Sequence, residues 1–435
     1  MSFRNKILAR LSSLDMIISP PAAITRILPL LGEKGSGVRS ELDSILKDAA
    51  IGERILQVAN SPSQGYGGTV NNIDQALMIL GENLVKCLVF SISVHDHVVA
   101  RCPGKDKEHN RLWLHFLETA SAARNLELIL RFENAENAYV AGLLHDLGRV
   151  FLLAYFGGEA FQVSRLVAGG MTLIEAEREH LGVDHQEIGR IIARRWNLPE
   201  FLQETMADHH PRHAADLNEL SPLSRIVSLS DNLSLASGEY PPGAGGAAAR
   251  LGIIETCCRF MNLRIEDIKR VYATLPDDVS SSAGALDLNL GDSSRYLSEI
   301  NSDLLQLIFE LGSLIGKEQG MSLKARQRES IHHFIEPLRA ALGTISDYIT
   351  DAVTNMSGQF ETLRLLHQDG QKDDVFERVP EISESLNESA LRISEILQEL
   401  SRVVSPENLE TLESPNALDT VTSLKDSLKE DPFRS

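Results

Sequence analysis

Gly142-Leu-Leu-His-Asp-Leu-Gly148 is an apolar turn interrupted by an adjacent histidine and aspartate, His145 and Asp146. An apolar helix has no packing use for this pair, because a polar group buried without a partner costs free energy. Neutral imidazole and carboxylate are both common ligands of divalent cations. The stretch therefore predicts a helical core that carries ligand-type side chains at its centre.

Other ligand-type side chains lie on both sides of this pair, far from it in the sequence. They are His115, His185, His209, His210 and Asp231. A histidine on its own is more often a hydrogen-bonded polar residue than a ligand, and the last two histidines precede Pro211, so they can simply end a helix. The set predicts a metal site only if separate helices bring its members to one place.

The composition favours helices and excludes several classes of function. The chain of 435 residues is long enough for two or three domains. Helix formers are frequent and alternating β-branched runs are scarce, so we expect an all-α protein. The net charge of −19 argues against binding to nucleic acid or to anionic lipid, since both need a cationic surface.

The cysteines and the N-terminus favour a cytoplasmic protein. The four cysteines, Cys87, Cys102, Cys257 and Cys258, include no C-x-x-C pair, and vicinal cysteines rarely form a disulfide. We expect them to be reduced, as is usual in a cytoplasm. No apolar stretch approaches the length of a membrane span, so we expect neither a signal peptide nor a transmembrane helix.

Several short helices are predicted in the N-terminal part. Pro20-Pro21 precede an apolar run from Ala22 to Leu31, and further helical segments run from Ile51 to Ser61 and from Ile73 to Gly81. These segments resemble the HDOD domain, a degenerate relative of the HD hydrolases that occurs in bacterial signalling proteins. The family's Asp-Pro is replaced here by Asp48-Ala49, which affects the helix start more than the function.

The resemblance continues to about residue 235 through an ordered series of motifs. These are Gly142 to Arg149, Glu175 to His185 with Gly189 behind it, Arg195-Trp-Asn-Leu-Pro199, His209-His210, and Ile226 to Asp231. The resemblance implies an HD-like multi-helix domain over about residues 14–275. Its N-terminal helical part would cover about 14–100 and its HD-like part about 101–240.

The resemblance also implies a ligand set. A first site would use His115, His145, Asp146 and Asp231, and His185, His209 and His210 match the extra ligands of the HD-GYP phosphodiesterases. The cation would be Fe, Mn, Zn or Mg, and Asp146 is the candidate catalytic residue. However, HDOD domains usually lose several such residues and act as binding or output modules, and no Gly-Tyr-Pro loop follows the histidine pair here. Arg149 could replace a missing metal charge or lie on a solvated helix face.

The C-terminal part predicts a linker and a helical hairpin. Residues 276–322 form a loop-like start and a coiled-coil-like linker helix, 323–404 a hairpin, and 405–435 a disordered acidic tail. Ile331 to Leu338 resembles the phosphoacceptor box of sensor histidine kinases, with His332 at the phosphoacceptor position. No ATP-binding segment follows, so we do not expect kinase activity.

Two functions remain open at this point. In the first, the HDOD domain is a non-catalytic signalling module that binds a ligand or other signalling proteins, and two C-terminal hairpins form a four-helix bundle in a homodimer. In the second, the protein is a metal-dependent phosphohydrolase that acts on a nucleotide or cyclic dinucleotide. The ligand set supports the second hypothesis, whereas the missing substrate loop favours the first.

Overall fold

The structure of the protein is a computed structural model. It describes residues 3–13, 22–31, 33, 35–61, 69–99, 107–132, 134–168, 171–211, 214–234, 253–254, 256–286 and 288. The chain divides into two units, and the helices considered below belong to the first, which comprises residues 1–241 and 256–290. The predicted linker helix, the hairpin with His332, the dimer seam and the acidic tail lie outside the described residues.

The N-terminal part is a set of short helices around an apolar core. They are α1 (Phe3–Ser13), α2 (Ala22–Ile27) with a 3-10 turn (Leu28–Leu30), α3 (Ser36–Ile45), α4 (Ala49–Ala59), α5 (Ile73–Leu80) and α6 (Glu82–Val99). The Asp48 carboxylate accepts hydrogen bonds from the N–H groups of Ala50 and Ile51 at the start of α4. This cap starts α4 without the proline that the family places there. As predicted, α5 ends at Gly81, which has a φ of 78°.

The HD-like part is built around one long central helix. Its helices are α7 (Lys107–Leu130), α8 (Ala135–Leu144), α9 (Leu147–Ala168), α10 (Leu173–Leu181), α11 (His185–Arg195), α12 (Glu200–Ala207), α13 (Pro222–Leu233) and α14 (Ile265–Ala285). The central helix α7 packs against α8, α13 and α14, and α9 packs against α11. The described residues form helices and turns and contain no strand, so the all-α prediction is confirmed.

Two glycines allow the helices of the HD-like part to approach closely. A Cβ on Gly142 would lie 2.8 Å from the Ala120 Cα, so α8 can cross α7 only because this position lacks a side chain. A Cβ on Gly148 would lie 2.0 Å from the His185 carbonyl oxygen. The start of α9 therefore rests directly on the start of α11, which brings the His145-Asp146 turn against His185.

The domain extends beyond the predicted limits of 14 and 275 at both ends. Before the first limit, α1 buries Ile7 and Leu11, and the Leu11 carbonyl accepts a hydrogen bond from Arg195. Beyond the second, α14 continues through Pro276 to Ala285, where the sequence predicted a loop-like start of the linker. The glycine, serine and proline residues of that segment have low helix propensity, but tertiary packing stabilises a helix there.

One described helical segment has the length and composition of a membrane span. Ala135–Glu159 covers α8, the His145-Asp146 turn and the start of α9, and most of it is buried inside the domain. The pair α5 and α6 passes the same criterion only if its bend of 110° is treated as one span. A buried core helix of a soluble protein can have the same length and apolar composition as a membrane span, and burial inside the domain is typical of such a core helix.

Candidate metal centre

Five chain segments bring the predicted ligand residues together. His115 lies on α7, the His145-Asp146 turn separates α8 from α9, and His185 is the first residue of α11. The remaining members are His209 and His210, which follow α12, and Asp231, which lies in the last turn of α13. His115, His145, His185 and His209 are 0% exposed. The alternative in which His209 and His210 only end a helix does not account for this burial.

The ligand atoms form two groups that meet at Asp146. The three-residue group is His115, His145 and Asp231, and the four-residue group is Asp146, His185, His209 and His210; within each, the ligand atoms lie within 4.8 Å of one another. All seven predicted residues therefore converge, within the part of the chain that the structure describes.

Asp231 organises the three-residue group. Its Oδ1 lies 3.3 Å from His115 Nε2 and 3.6 Å from His145 Nε2. Its Oδ2 lies 3.6 Å from His210 Nδ1, so the same carboxylate also reaches the four-residue group. Asp231 is thus central to the cluster although it is far from the other residues in sequence.

Asp146 contacts both groups through its two oxygens. Oδ1 lies 3.1 Å from His185 Nε2 and 3.2 Å from His209 Nε2. Oδ2 lies 3.6 Å from His115 Nε2 and 3.5 Å from His145 Nε2. A carboxylate in this position can serve two cation sites at once.

The imidazoles are held in one orientation by hydrogen bonds on their Nδ1 side. His145 Nδ1 donates to the Gly142 carbonyl at 2.7 Å, and His209 Nδ1 donates to the Thr205 carbonyl at 3.0 Å. His185 Nδ1 donates to the buried Glu177 carboxylate at 2.7 Å. A proton fixed on Nδ1 leaves Nε2 as the atom with a lone pair in the neutral ring.

His115 is oriented through a hydroxyl relay. Its Nδ1 lies 2.9 Å from Ser234 Oγ, and that hydroxyl donates its own proton to the Glu118 carboxylate at 2.7 Å. The Ser234 oxygen therefore accepts from His115 Nδ1–H. Metal-binding histidines are usually held from behind by a carbonyl or a carboxylate in this way.

The Nε2 atoms on the opposite side of the rings fit a cation. Among the buried side-chain atoms, Nε2 of His115, His145, His185 and His210 has no hydrogen-bond partner in the described residues. A buried nitrogen without a partner costs about 1–3 kcal/mol, and four such atoms beside two carboxylates would be a large combined cost. A divalent cation that accepts these lone pairs would remove that cost.

The carboxylates and imidazoles shift one another's protonation. Burial raises the pKa of Asp146, but its electrostatic interactions with His145, His185 and Arg149 outweigh burial and hold the pKa well below its usual range. Burial lowers the pKa of His115, but Asp146 and Asp231 outweigh it and raise the pKa to about 9. Burial also raises the pKa of Asp231, but His115, His145 and His210 outweigh it and hold this pKa well below its usual range. Both carboxylates are therefore ionised at neutral pH, as ligands of a cation must be.

His185 and His210 of the four-residue group have pKa shifts of opposite direction. Burial lowers the pKa of His185, but the carboxylates of Glu177 and Asp146 outweigh it and raise the pKa to about 9. Burial and the neighbouring His209 hold the pKa of His210 well below its usual range. His210 therefore stays neutral at neutral pH, whereas His185 must lose a proton before it can bind a cation.

Arg149 lies in the cluster and not on a solvated helix face. It is 9% exposed, and its guanidinium donates to Asp146 Oδ2 at 2.8 Å. The alternative that placed it on an exposed face is therefore wrong. An arginine three residues after Asp146 points back along the helix towards it, which the sequence spacing alone left undecided.

The sequence did not assign the residues that hold the imidazoles from behind. Glu177 accepts hydrogen bonds from both the backbone N–H and Nδ1 of His185. It lies inside the Glu175 to His185 motif, so the motif contained this signal. Ser234 and Glu118 had no such signal, because the relay to His115 joins residues 116 and 119 positions apart.

The described cysteines lie in the hydrophobic core. Cys87, Cys257 and Cys258 are free and buried, and burial raises the pKa of the Cys87 and Cys257 thiols to about 12. At neutral pH both groups therefore remain thiols, which are poor nucleophiles and poor metal ligands. Cys102 lies outside the described residues.

Known proteins resemble this chain over the same region. Residues 17–211 match the HDOD domain. A solved HDOD domain protein of unknown function from Geobacter sulfurreducens is 26% identical to this chain. The two structures match over 66% of this chain and 98% of that one, with a TM-score of 0.51. A solved protein from Shewanella amazonensis, provisionally described as a phosphohydrolase, is 20% identical to this chain. The two structures match over 64% of this chain and 97% of that one, with a TM-score of 0.49. At these values, the second likeness carries no argument about activity.

A relative of unassigned function comes from Treponema pallidum (strain Nichols). It is 27% identical over 209 residues, which are 45% of this chain and 38% of that protein. The chain therefore spans well under half the length of the curated relative that it matches. The fold and the ordered motifs agree with the match of residues 17–211 to the HDOD domain.

Proposed function

We propose that this chain is a regulatory protein whose HDOD domain binds a divalent cation at the seven-residue cluster. The observation that carries this proposal is the set of four buried Nε2 atoms without a hydrogen-bond partner beside Asp146 and Asp231. A purely structural core rarely gathers seven ligand-type side chains at one place, since burying each polar group costs free energy. A bound cation would connect the chain segments that carry its ligands, and its binding would therefore stabilise the domain.

The donor set favours a transition metal over magnesium. Five imidazoles and two carboxylates are present. Imidazole suits Fe and Zn, whereas Mn²⁺ and Mg²⁺ prefer oxygen ligands and Mg²⁺ keeps several waters. We therefore rank Fe and Zn above Mn and Mg as the natural cation.

A thermal-unfolding experiment tests this proposal. Cation-stripped protein is melted alone and with each of Mn²⁺, Zn²⁺, Fe²⁺ and Mg²⁺. A cation at about 100 times its dissociation constant should stabilise the protein by about 2.7 kcal/mol. His185→Ala should remove the response, and His180→Ala is the matched control, because His180 is a partly exposed histidine that pairs with Glu159. No stabilisation by any cation, or an unchanged response in His185→Ala, would contradict the proposal.

Phosphoester hydrolysis is a second candidate function. The contact of Asp146 with both ligand groups favours it, because two adjacent cations are a common arrangement in phosphoester hydrolases. Access is narrow, however: the side chains of Asp231 and His210 are 11% and 24% exposed, and the other ligand side chains are almost fully buried. Because access to the cluster is narrow and the substrate loop is missing, we favour the regulatory function over phosphoester hydrolysis.

An activity assay separates the two functions. Protein loaded with Mn²⁺ is incubated with a cyclic dinucleotide and with a generic phosphodiester. Turnover that Asp146→Ala abolishes would establish the hydrolase. Bound cation without turnover is the result that we expect for the regulatory protein.

Assembly through the C-terminal hairpin is part of the proposed function and rests on sequence alone. The apolar seams of residues 338–349 and 382–400 would pair in a four-helix bundle between two copies. Light scattering should show a dimer for the full chain and a monomer after deletion of residues 323–404. An unchanged dimer after this deletion would contradict the hairpin interface.

A further inference from the structure

Arg149 meets the cluster at one particular carboxylate oxygen. It lies in the first turn of α9, and its guanidinium donates to Asp146 Oδ2 at 2.8 Å. The same oxygen faces the three-residue group, 3.6 Å from His115 Nε2 and 3.5 Å from His145 Nε2. The other oxygen of Asp146 faces the four-residue group. The guanidinium therefore occupies the side of Asp146 that a cation in the three-residue group would share.

Burial makes the charge of Arg149 effective. The side chains of Arg149 and Asp146 are 10% and 1% exposed. Solvent and salt screen such a pair only weakly. A guanidinium keeps its proton at every pH at which the protein is folded, so this positive charge is permanent. It is a fixed cation at the edge of the cluster.

The charges of the cluster favour one divalent cation over two. The two carboxylates face five imidazoles that are neutral when they bind a cation. One divalent cation balances both carboxylates, and the guanidinium already adds a further positive charge. Glu177 and Glu118 lie behind the rings, on the Nδ1 side, and so are farther from the ligand atoms. A second cation next to Oδ2 would face strong repulsion from Arg149.

We propose that Arg149 acts as a built-in cation at the three-residue group. The domain then holds a single divalent cation, at Asp146, His185, His209 and His210, and binds a second one weakly. Arg149 thus sets the number of cations in the centre. This inference rests on the proposed cation-binding function and deepens it.

Calorimetric titration of the full chain with Mn²⁺ tests the inference. Wild type should show one tight step and one weak step. Arg149→Gln should tighten the weak step by at least about tenfold, because the repulsion is removed. Arg149→Lys retains the charge and should resemble wild type. Arg39→Gln is the control, since Arg39 pairs with Asp43 and Asp74 in the N-terminal part and the substitution removes the same charge.

The direction of the change separates this role from a purely orienting one. If Arg149 only orients Asp146, Arg149→Gln should weaken cation binding. A weak step that is unchanged or weaker in Arg149→Gln would overturn the inference, as would an Arg149→Lys variant that binds as tightly as Arg149→Gln. Arg149→Met keeps the apolar stem and replaces the Gln variant if circular dichroism shows that the latter is unfolded.

The same titration distinguishes failure of this inference from failure of the proposed function. Mn²⁺ binding in neither wild type nor variants would overturn both. Two tight steps in wild type that Arg149→Gln leaves unchanged would overturn only the role of Arg149 and would leave cation binding intact.

Discussion

The N-terminal part and the HD-like part both bury charged or polar groups, but they treat them differently. In the N-terminal part, Lys86 is 0% exposed, and its ammonium donates to the carbonyls of Leu30 and Glu33 and lies 3.5 Å from Glu136. In the HD-like part, four imidazoles each leave one buried nitrogen without a hydrogen-bond partner among the described residues. Buried groups that serve stability are paired, so the unpaired set points to a ligand.

The largest effect should come from Asp146→Ala. This carboxylate contacts both ligand groups, so its loss should weaken cation binding by more than about 100-fold, beyond the effect usual for a residue that only supports a ligand. Asp74→Ala removes an aspartate of the N-terminal part whose side chain is 83% exposed, and it should bind cations as wild type does. If Asp146→Ala and Asp74→Ala bound cations equally well, the HD-like part would not differ from the N-terminal part in cation binding.

Gly148→Ala should disrupt the centre through its backbone. The added Cβ would lie 2.0 Å from the His185 carbonyl oxygen, so α9 and α11 must separate. We expect a loss of about 3 kcal/mol or more in the free energy of unfolding, at the upper end for overpacked cores. Gly158→Ala on the same helix has open space around its Cβ and should not destabilise. Denaturant unfolding of the two variants measures the difference, and equal stability would contradict the close approach.

Glu177→Ala should affect only one half of the centre. It removes the acceptor that orients His185, and loss of such a partner typically lowers metal affinity by about 10–100-fold. Glu179→Ala on the same helix removes an exposed carboxylate and is the matched control. Titration calorimetry should show weakening in the Glu177 variant alone. Equal affinity in both variants would show that His185 needs no support from behind.

Cation binding should release protons and strengthen as pH rises. In the cation-free protein the pKa of His115 and of His185 is about 9, above the ordinary 6.5, so both rings are protonated at neutral pH. The raised pKa also stabilises the cation-free fold below 6.5, and this contribution is lost as pH rises through about 9. Titrations in buffers of different ionisation enthalpy measure the released protons. Binding without proton release would contradict the assignment of His185 as a ligand.

The smallest effect should come from the N-terminal part. Asp48→Ala removes the cap of α4 and should lower the free energy of unfolding by about 1 kcal/mol, without a change in cation affinity. Asp43→Ala on α3 is a comparison that removes an aspartate from an exposed ion pair. A change in cation affinity in the Asp48 variant would contradict the prediction, because it would show that the cap of α4 affects the cation site of the HD-like part.

The sequence named the seven side chains that converge, but not every helix that packs around them. The ordered motifs identified all seven residues that converge, because ligand chemistry restricts which side chains can occupy such positions. The helix through Pro276 and the packing of α1 were not predicted, because tertiary contacts and not local propensity hold them in place. The burial of Arg149 was also undecided, since a basic residue after a turn fits either a solvated face or a buried pair.

The most direct test of the account is the elemental content of the purified chain. Protein prepared without chelator is desalted and its Fe, Mn and Zn are measured beside those of Asp146→Ala. A divalent metal should co-purify with wild type and be absent from the variant. Wild-type protein that carries no metal, and takes up none when Fe²⁺, Mn²⁺ or Zn²⁺ is added, would contradict it.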